Sequence, residues 1–310
     1  MTALRLAAIQ AAPVQFDKAA SVEKACGLIA EAGRLGATVA AFGETWLPGY
    51  PFFIEAPVGD LWWEAAALYL ENAITLPGPE TDALCAAARA AGIDVVIGIA
   101  ELDPATRGSI YASLVFISRE GTILGRHRKL KPTHHERSIW ADGDAQGLQV
   151  YAREYGRLSG LNCWEHNIVL PGFALISQGT QIHVAAWPGH EPANAPSNPV
   201  WSRQLLLSRA FASQAGAYVI AAAGLRLDAH VPERFKSLNT FEHTGQSFII
   251  DPRGEVIAGP AEGETILIAE ADLAEVRKAK LACDPAGHYA RPDLFELKLH
   301  GQTIYPPKSD

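Results

Sequence analysis

The sequence predicts an α/β layered fold, and two observations carry that prediction. Short β-branched or aliphatic runs of strand length alternate with longer Ala- and Leu-rich segments whose apolar residues recur at helical period. The alternation repeats in both halves of the 310-residue chain, which suggests two packed sheets with helices outside. In order, Leu4–Gln10 reads as a strand, Ser21–Leu35 as a helix and Thr38–Phe42 as the next strand, a βαβ opening. Thr81–Ala91 is a helix closed by Gly92, and Asp94–Ala100 a strand. Ala112–Ser118 and Thr122–Arg128 form a hairpin around Glu120-Gly121. Val150–Arg153 and Arg157–Leu161 form a second hairpin. The second half reads as strands at Ile182–Ala186, Ala217–Ala223, Gln246–Ile250, Val256–Ala258 and Ile266–Ala269. Its helices lie near Ile168–Ser177, Trp201–Gln214 and Leu273–Ala279.

Composition narrows the class of protein. With 48% hydrophobic residues the chain can bury a large core. A net charge of −8, and a densest basic run limited to Arg126-His127-Arg128-Lys129-Leu130-Lys131, argue against a nucleic-acid or anionic-membrane surface. No apolar run approaches the roughly 20 residues that span a bilayer. Small molecules or other proteins are the expected partners. The four cysteines have no paired spacing, and Met1–Arg5 leads into a strand without a signal-peptide profile. A cytoplasmic protein is expected.

Cys163 is the most informative residue. An arbitrary cysteine is most often a small buried hydrophobe, and Cys26, Cys85 and Cys283 fit that description. Cys163 instead has polar and aromatic company, in Leu161-Asn162-Cys163-Trp164-Glu165-His166, at the end of a strand and the start of a helical segment. Backbone N–H groups at such a turn favour a thiolate and bind an oxyanion. Glu44 follows another strand, in Phe42-Gly43-Glu44-Thr45-Trp46; beside Trp46 and Tyr50 it would be partly desolvated and suited to act as a general base. Lys129 closes the strand Thr122–Arg128, where an ammonium would stabilise developing negative charge. Taken singly, Glu44 could be a capping glutamate and Lys129 a solvated lysine. Glu136, in Pro132-Thr133-His134-His135-Glu136-Arg137, could pair with Arg137 or a lysine. An acid, a lysine and a cysteine after three different strands together supply a base, an electrostatic stabiliser and a nucleophile.

On Glu44, Lys129, Glu136 and Cys163 in their local motifs, the chain resembles the nitrilase (carbon–nitrogen hydrolase) superfamily. The resemblance extends over Leu4–Pro13, Ala185-Ala186-Trp187-Pro188-Gly189 and Asp251-Pro252-Arg253-Gly254, almost the whole chain. It implies a four-layer α-β-β-α sandwich, with residues 1–280 forming a single domain and 281–310 a C-terminal extension at an oligomer interface. It also implies Glu44 as base, Cys163 as nucleophile, Lys129 as stabiliser of the developing charge, and Glu136 as the second glutamate that positions Lys129 and substrate. No redox or metal cofactor is required. Cys163-Trp164-Glu165-His166, with Thr45–Pro51, Ala258-Gly259-Pro260 and Gly287–Asp293, resembles the true nitrilases and their cyanide-degrading relatives. The expected substrate is therefore a small-molecule nitrile, converted to acid and ammonia through a thioimidate and a thioester. An amidase or carbamoylase using the same residues, cyanide hydrolysis, and an inactive binding protein are the alternatives.

Phe52, Trp164, Trp187 and His190 are the candidate substrate-binding residues, since aromatic walls suit an apolar nitrile. Phe53 and the Trp62-Trp63 pair strengthen the hint of an aromatic or arylaliphatic substituent. A metal site at His134-His135 or His183 and His190 is disfavoured, because adjacent histidines on extended backbone point apart and no H-E-x-x-H spacing occurs. From the resemblance a homodimer or closed higher oligomer is expected, with 166–178 as one contact surface.

Overall fold

Strand β1 (Leu4–Gln10) sets the pattern that the other strands repeat. Leu6 and Ala8 enter one apolar layer while Ala7 and Ile9 enter another, the period-2 alternation of a strand covered on both faces. The structure, a computed structural model, describes residues 4–190, 203–299 and 301–305. The first sheet adds β2 (Val39–Ala41), β3 (Asp94–Leu102), β4 (Ile110–Ile117) and β5 (Ile123–Arg128), with β14 (Thr265–Ala271) on the far edge. Its order is β14-β1-β2-β3-β4-β5, with β1, β2 and β3 parallel and the remaining pairs antiparallel.

The second sheet is also six-stranded. It contains β6 (Tyr151–Arg153), β7 (Gly156–Asn162), β8 (Ile182–Trp187), β9 (Tyr218–Ala223), β12 (Phe248–Ile250) and β13 (Val256–Ala258), in the order β13-β12-β9-β8-β7-β6. Two small ladders join β10 (Leu225–Arg226) to β11 (His243–Thr244), and β15 (Leu297–Leu299) to β16 (Gln302–Tyr305).

Between the large sheets lie Leu6, Val96, Phe116, Val184, Ile220 and Ile249. Helices α1 (Lys18–Arg34) and α3 (Pro79–Ala91) cover the outer face of the first sheet through Ala25, Ile29, Leu84 and Ala88. Helices α4 (Val169–Ser177) and α5 (Arg203–Ala215) cover the second through Ile176, Phe211 and Ala212. The result is the expected α-β-β-α sandwich. Helix α6 (Leu273–Ala282) follows β14, and β15–β16 pack Leu297, Leu299 and Ile304 against α4.

The expected elements are present, with shifted ends. Helix α1 starts earlier than expected because Asp17 caps it, accepting from Ala20 N at 2.9 Å. Pro79 opens α3, and Gly92 closes it at φ +67°. Trp201, at the expected start of α5, lies outside the described residues. Sequence reading missed helix α2 (Asp60–Glu71), in which Trp62, Ala65 and Tyr69 turn inward onto Tyr50, Phe53 and Trp140. The segment is apolar nearly all round and begins at an uncapped Gly59, so its helical period was masked. Cys283 is exposed rather than a buried hydrophobe, because α6 ends immediately before it.

One steric constraint positions the candidate site. Glycines let the loop after β2 thread between strands of both sheets. A side chain at Gly43 would come within 2.6 Å of Gly224 N and 2.8 Å of Trp187 O, and one at Gly98 within 2.3 Å of Gly43 O and 2.4 Å of Thr45 N. Only a bare backbone fits there. The same closeness lets Glu44 N donate to Trp187 O at 3.1 Å, tying the loop that carries Glu44 to the second sheet.

Candidate active site

The strand ends converge as expected and bury their polar side chains completely. Glu44, Lys129 and Glu136 are each 2% exposed or less, and Cys163 is fully buried. Lys129 follows β5, Cys163 follows β7, and Glu136 sits in the 3₁₀ turn His134–Ser138. Lys129 Nζ donates to Glu44 Oε1 at 2.7 Å and to Glu136 Oε2 at 2.6 Å. One carboxylate oxygen of Glu44, one of Glu136 and the thiol sulfur lie within 4.8 Å of one another. Such a carboxylate–thiol group has metal-ligating chemistry, but the ammonium between the two carboxylates already supplies the cation.

Each neighbour has a job that burial makes necessary. Glu136 Oε1 accepts from Tyr50 Oη at 2.9 Å, and its Oε2 also accepts from Thr133 N at 2.6 Å. Tyr50, expected only to help desolvate Glu44, thus makes its hydrogen bond to Glu136. Trp46 turns away, donating from Nε1 to Ala11 O at 2.7 Å. Glu44 Oε2 is buried without a hydrogen-bond partner among the described residues. A carboxylate with one oxygen on an ammonium and the other unengaged is arranged to take a proton.

Electrostatics follow from burial. Desolvation pushes the Glu44 carboxyl up to about 8, with the charges of Glu136 and Glu165 adding to it and Lys129 opposing. Burial alone would lower Lys129, but Glu136 and Glu44 outweigh it and hold the ammonium well above its ordinary range. Burial also pushes the Cys163 thiol well above its ordinary value, reinforced by Glu44, while Lys129 and the Trp164 backbone N–H act the other way. The turn's backbone N–H favours the thiolate as expected, but burial and Glu44 outweigh it. The resting group is a thiol, and to serve as a nucleophile it would have to pass its proton to a base.

The backbone is strained at the same places. Thr45, His134 and Cys163 all occupy the left-handed region, at φ +42°, +46° and +46°. Behind Cys163, His166 Nδ1 lies 2.7 Å from Cys163 O and its Nε2 2.9 Å from His183 Nε2, while His183 Nδ1 lies 2.8 Å from Ser159 Oγ. Burial holds His166 down at about 4 and His183 well below its ordinary value, so both rings are neutral. A neutral His166 donates to the Cys163 carbonyl and helps hold the turn.

The expected binding residues divide. Trp164 is partly exposed and meets the ring of His134 edge-on at 6.1 Å. His190 is partly exposed, its backbone pinned by Gly245 O and Thr244 N. Trp187 is fully buried, stacks on His166 at 5.3 Å and donates to Ser208 Oγ at 3.1 Å. Phe52 is packed among Phe16, Phe53 and Phe235. Of the Trp62-Trp63 pair, Trp62 is core and Trp63 is 64% exposed, so the pair does not form one aromatic wall. His134 and His135 are both exposed.

A buried thiol, an unengaged carboxylate oxygen and a clamped ammonium, gathered at strand ends of a four-layer sandwich, define a cysteine hydrolase site. The chain belongs to the carbon–nitrogen hydrolase family, whose model matches residues 5–281. It is 53% identical over 296 residues to a protein named nitrilase 2 from an unknown prokaryotic organism, covering 95% of this chain and 91% of that protein. It is 37% identical over 314 residues to an aliphatic nitrilase of Rhodococcus rhodochrous, covering 97% and 84%. Among solved structures, the fold is similar to that of Saccharomyces cerevisiae Nit3, a member of branch 10 of the nitrilase superfamily. That match has a TM-score of 0.72 at 19% identity and covers 94% of this chain and 97% of that one.

The raised Glu44 carboxyl has a signed consequence. The folded protein binds that proton more tightly than the unfolded chain, so the stability it contributes is fully present below the unfolded value, 4.5. That contribution is lost as pH rises through about 8. Melting of wild type and Glu44→Gln across this window should show wild type losing stability relative to the variant as pH rises. Parallel curves would contradict the assignment.

Proposed function

We propose that this protein is a nitrilase, hydrolysing an organic nitrile to the carboxylic acid and ammonia through a covalent adduct on Cys163. One observation carries the reading: the Lys129 ammonium clamped between Glu44 and Glu136 beside a protonated thiol. Its setting is a chain similar along most of its length to proteins named nitrilases.

Glu44 takes the thiol proton through Oε2 as Cys163 Sγ attacks the nitrile carbon, and that proton is delivered to nitrogen, giving a thioimidate. Lys129, with two of its three N–H groups on carboxylates, turns the third toward the developing negative nitrogen, and the Trp164 N–H assists. Water activated by Glu44 adds to the thioimidate carbon. Loss of ammonia from the tetrahedral adduct leaves a thioester, and a second water releases the acid and restores the thiol. Expulsion of the sulfur in place of ammonia would yield the amide. Glu136, anchored by Tyr50, fixes Lys129. Trp164 and His190 line the substrate pocket in this reading, with Trp187 and Phe52 supporting it from behind.

We further propose that residues 1–280 act as one domain in a cytoplasmic enzyme, a location suited to its four free cysteines. A homodimer or higher homo-oligomer is proposed through α4 and the 281–310 extension, where Val169, Leu170, Leu281 and Phe295 are each more than 60% exposed. A monomeric mass by light scattering would contradict that assembly.

Ammonia release from phenylacetonitrile, benzonitrile, a short aliphatic dinitrile, cyanide and the matching amides tests the reaction. Turnover of at least one organic nitrile is expected, abolished in Cys163→Ala. Turnover of amides alone would make the protein an amidase, cyanide alone a cyanide hydrolase, and no turnover at all a binding protein.

A further inference from the structure

We infer that Glu165 is a positioning residue for this reaction: its buried carboxylate ties the backbone beside Lys129 to the backbone before Cys163 and so sets the separation of charge stabiliser and nucleophile. The inference rests on the hydrolase reading above. Glu165 is 1% exposed and belongs to the 3₁₀ turn Cys163–Asn167. Its Oε1 accepts from Leu130 N at 2.9 Å and its Oε2 from Asn162 N at 2.8 Å. Leu130 directly follows Lys129, and Asn162 directly precedes Cys163. His127 Nε2 lies 3.0 Å from Oε1 and 2.8 Å from Oε2.

A purely local role would be to cap the turn. That role accounts for the bond to Asn162 N, three residues back. It does not account for Leu130 N and His127, which come from the other sheet, 35 and 38 residues away in sequence. The same carboxylate therefore joins the end of β5 to the end of β7, and these are the strands that deliver Lys129 and Cys163.

Burial alone would raise the Glu165 carboxyl, but His127 and the two backbone N–H groups outweigh it and hold it below its ordinary value. Glu165 is therefore ionised, and His127 Nε2 donates to it. Its charge also reaches Glu44. Lys129 faces Glu44 from the end of β5, Glu136 from its 3₁₀ turn, Cys163 and Glu165 from the nucleophile turn, Tyr50 from the loop after β2, and Tyr69 from α2. Of these, Glu136 and, less strongly, Glu165 act to raise Glu44, and Lys129 acts to lower it. A neutral residue at 165 should therefore lower the pH at which Glu44 becomes available as a base.

Glu165→Gln keeps the shape but puts an amide NH₂ against N–H donors, so the clamp loosens. A misplacement approaching 1 Å costs on the order of 10²-fold in rate. The expected result is a kcat reduced by about 10- to 100-fold, KM changed much less, and an acid limb of kcat/KM displaced to lower pH. Wild-type kcat and an unmoved acid limb, with only the melting temperature lowered, would reduce Glu165 to a structural residue and overturn the inference. The pH profile of Cys163 alkylation by iodoacetamide, which needs no substrate, should move to lower pH in the same way. An unmoved alkylation profile would overturn the positioning role even if the proposed reaction itself proved wrong, and a moved one would uphold it. Should Glu165→Gln fail to fold, His127→Gln decides, since it leaves both backbone bonds in place. A kcat lowered several-fold at similar KM supports the clamp, and an unchanged kcat overturns it.

Discussion

The fold is organised around a buried ammonium. Moving a lysine head group out of water costs several kcal/mol, and only close opposite charges offset it. Lys129 finds two carboxylates, at 2.7 and 2.6 Å, and they come from different segments of the chain. Two carboxylates around one ammonium leave one negative charge in excess. The protein accommodates it in Glu44, whose raised carboxyl readily accepts a proton. That property destabilises the charged form and suits the residue to the base role proposed for it, so in this reading the electrostatic cost of folding and the chemistry have one source.

Much of the remaining architecture keeps this cluster assembled. The first sheet supplies Glu44 and Lys129, and the second supplies Cys163. The sheets are joined at the site by Glu44 N on Trp187 O and by Glu165 on Leu130 N. Glycine at positions 43 and 98 permits the first of these contacts. Left-handed backbone at Thr45, His134 and Cys163 is tolerated because neighbouring hydrogen bonds hold each segment in place. Residues around the cluster, among them Tyr50, His166 and His183, fill polar needs created by burial.

The strands and most helices were legible because their covering layers impose clear periods: Leu6 and Ala8 face one layer, Ala7 and Ile9 the other. Glu44, Lys129 and Cys163 were legible because each directly follows, or nearly follows, a strand. What the sequence concealed depends on tertiary contact. Helix α2 is apolar on nearly every side, so no stripe marked it. Tyr50 stands close to Glu44 in sequence yet bonds Glu136, and Glu165 looked like part of a turn motif until His127 and Leu130 arrived from another sheet. Pocket residues were the least legible, since aromatic character alone does not separate packed Phe52 from partly exposed Trp164.

The central claim is that the clamped cluster turns Cys163 into a nucleophile that carries the acyl group. Rapid acid quench of the enzyme with a turned-over nitrile, followed by peptide mass spectrometry, measures this directly. The expected result is an acyl or imidoyl mass increment on the peptide containing Cys163 during turnover, absent from peptides containing Cys26, Cys85 and Cys283. Steady turnover with no adduct on Cys163, or with one on another cysteine, would contradict the account.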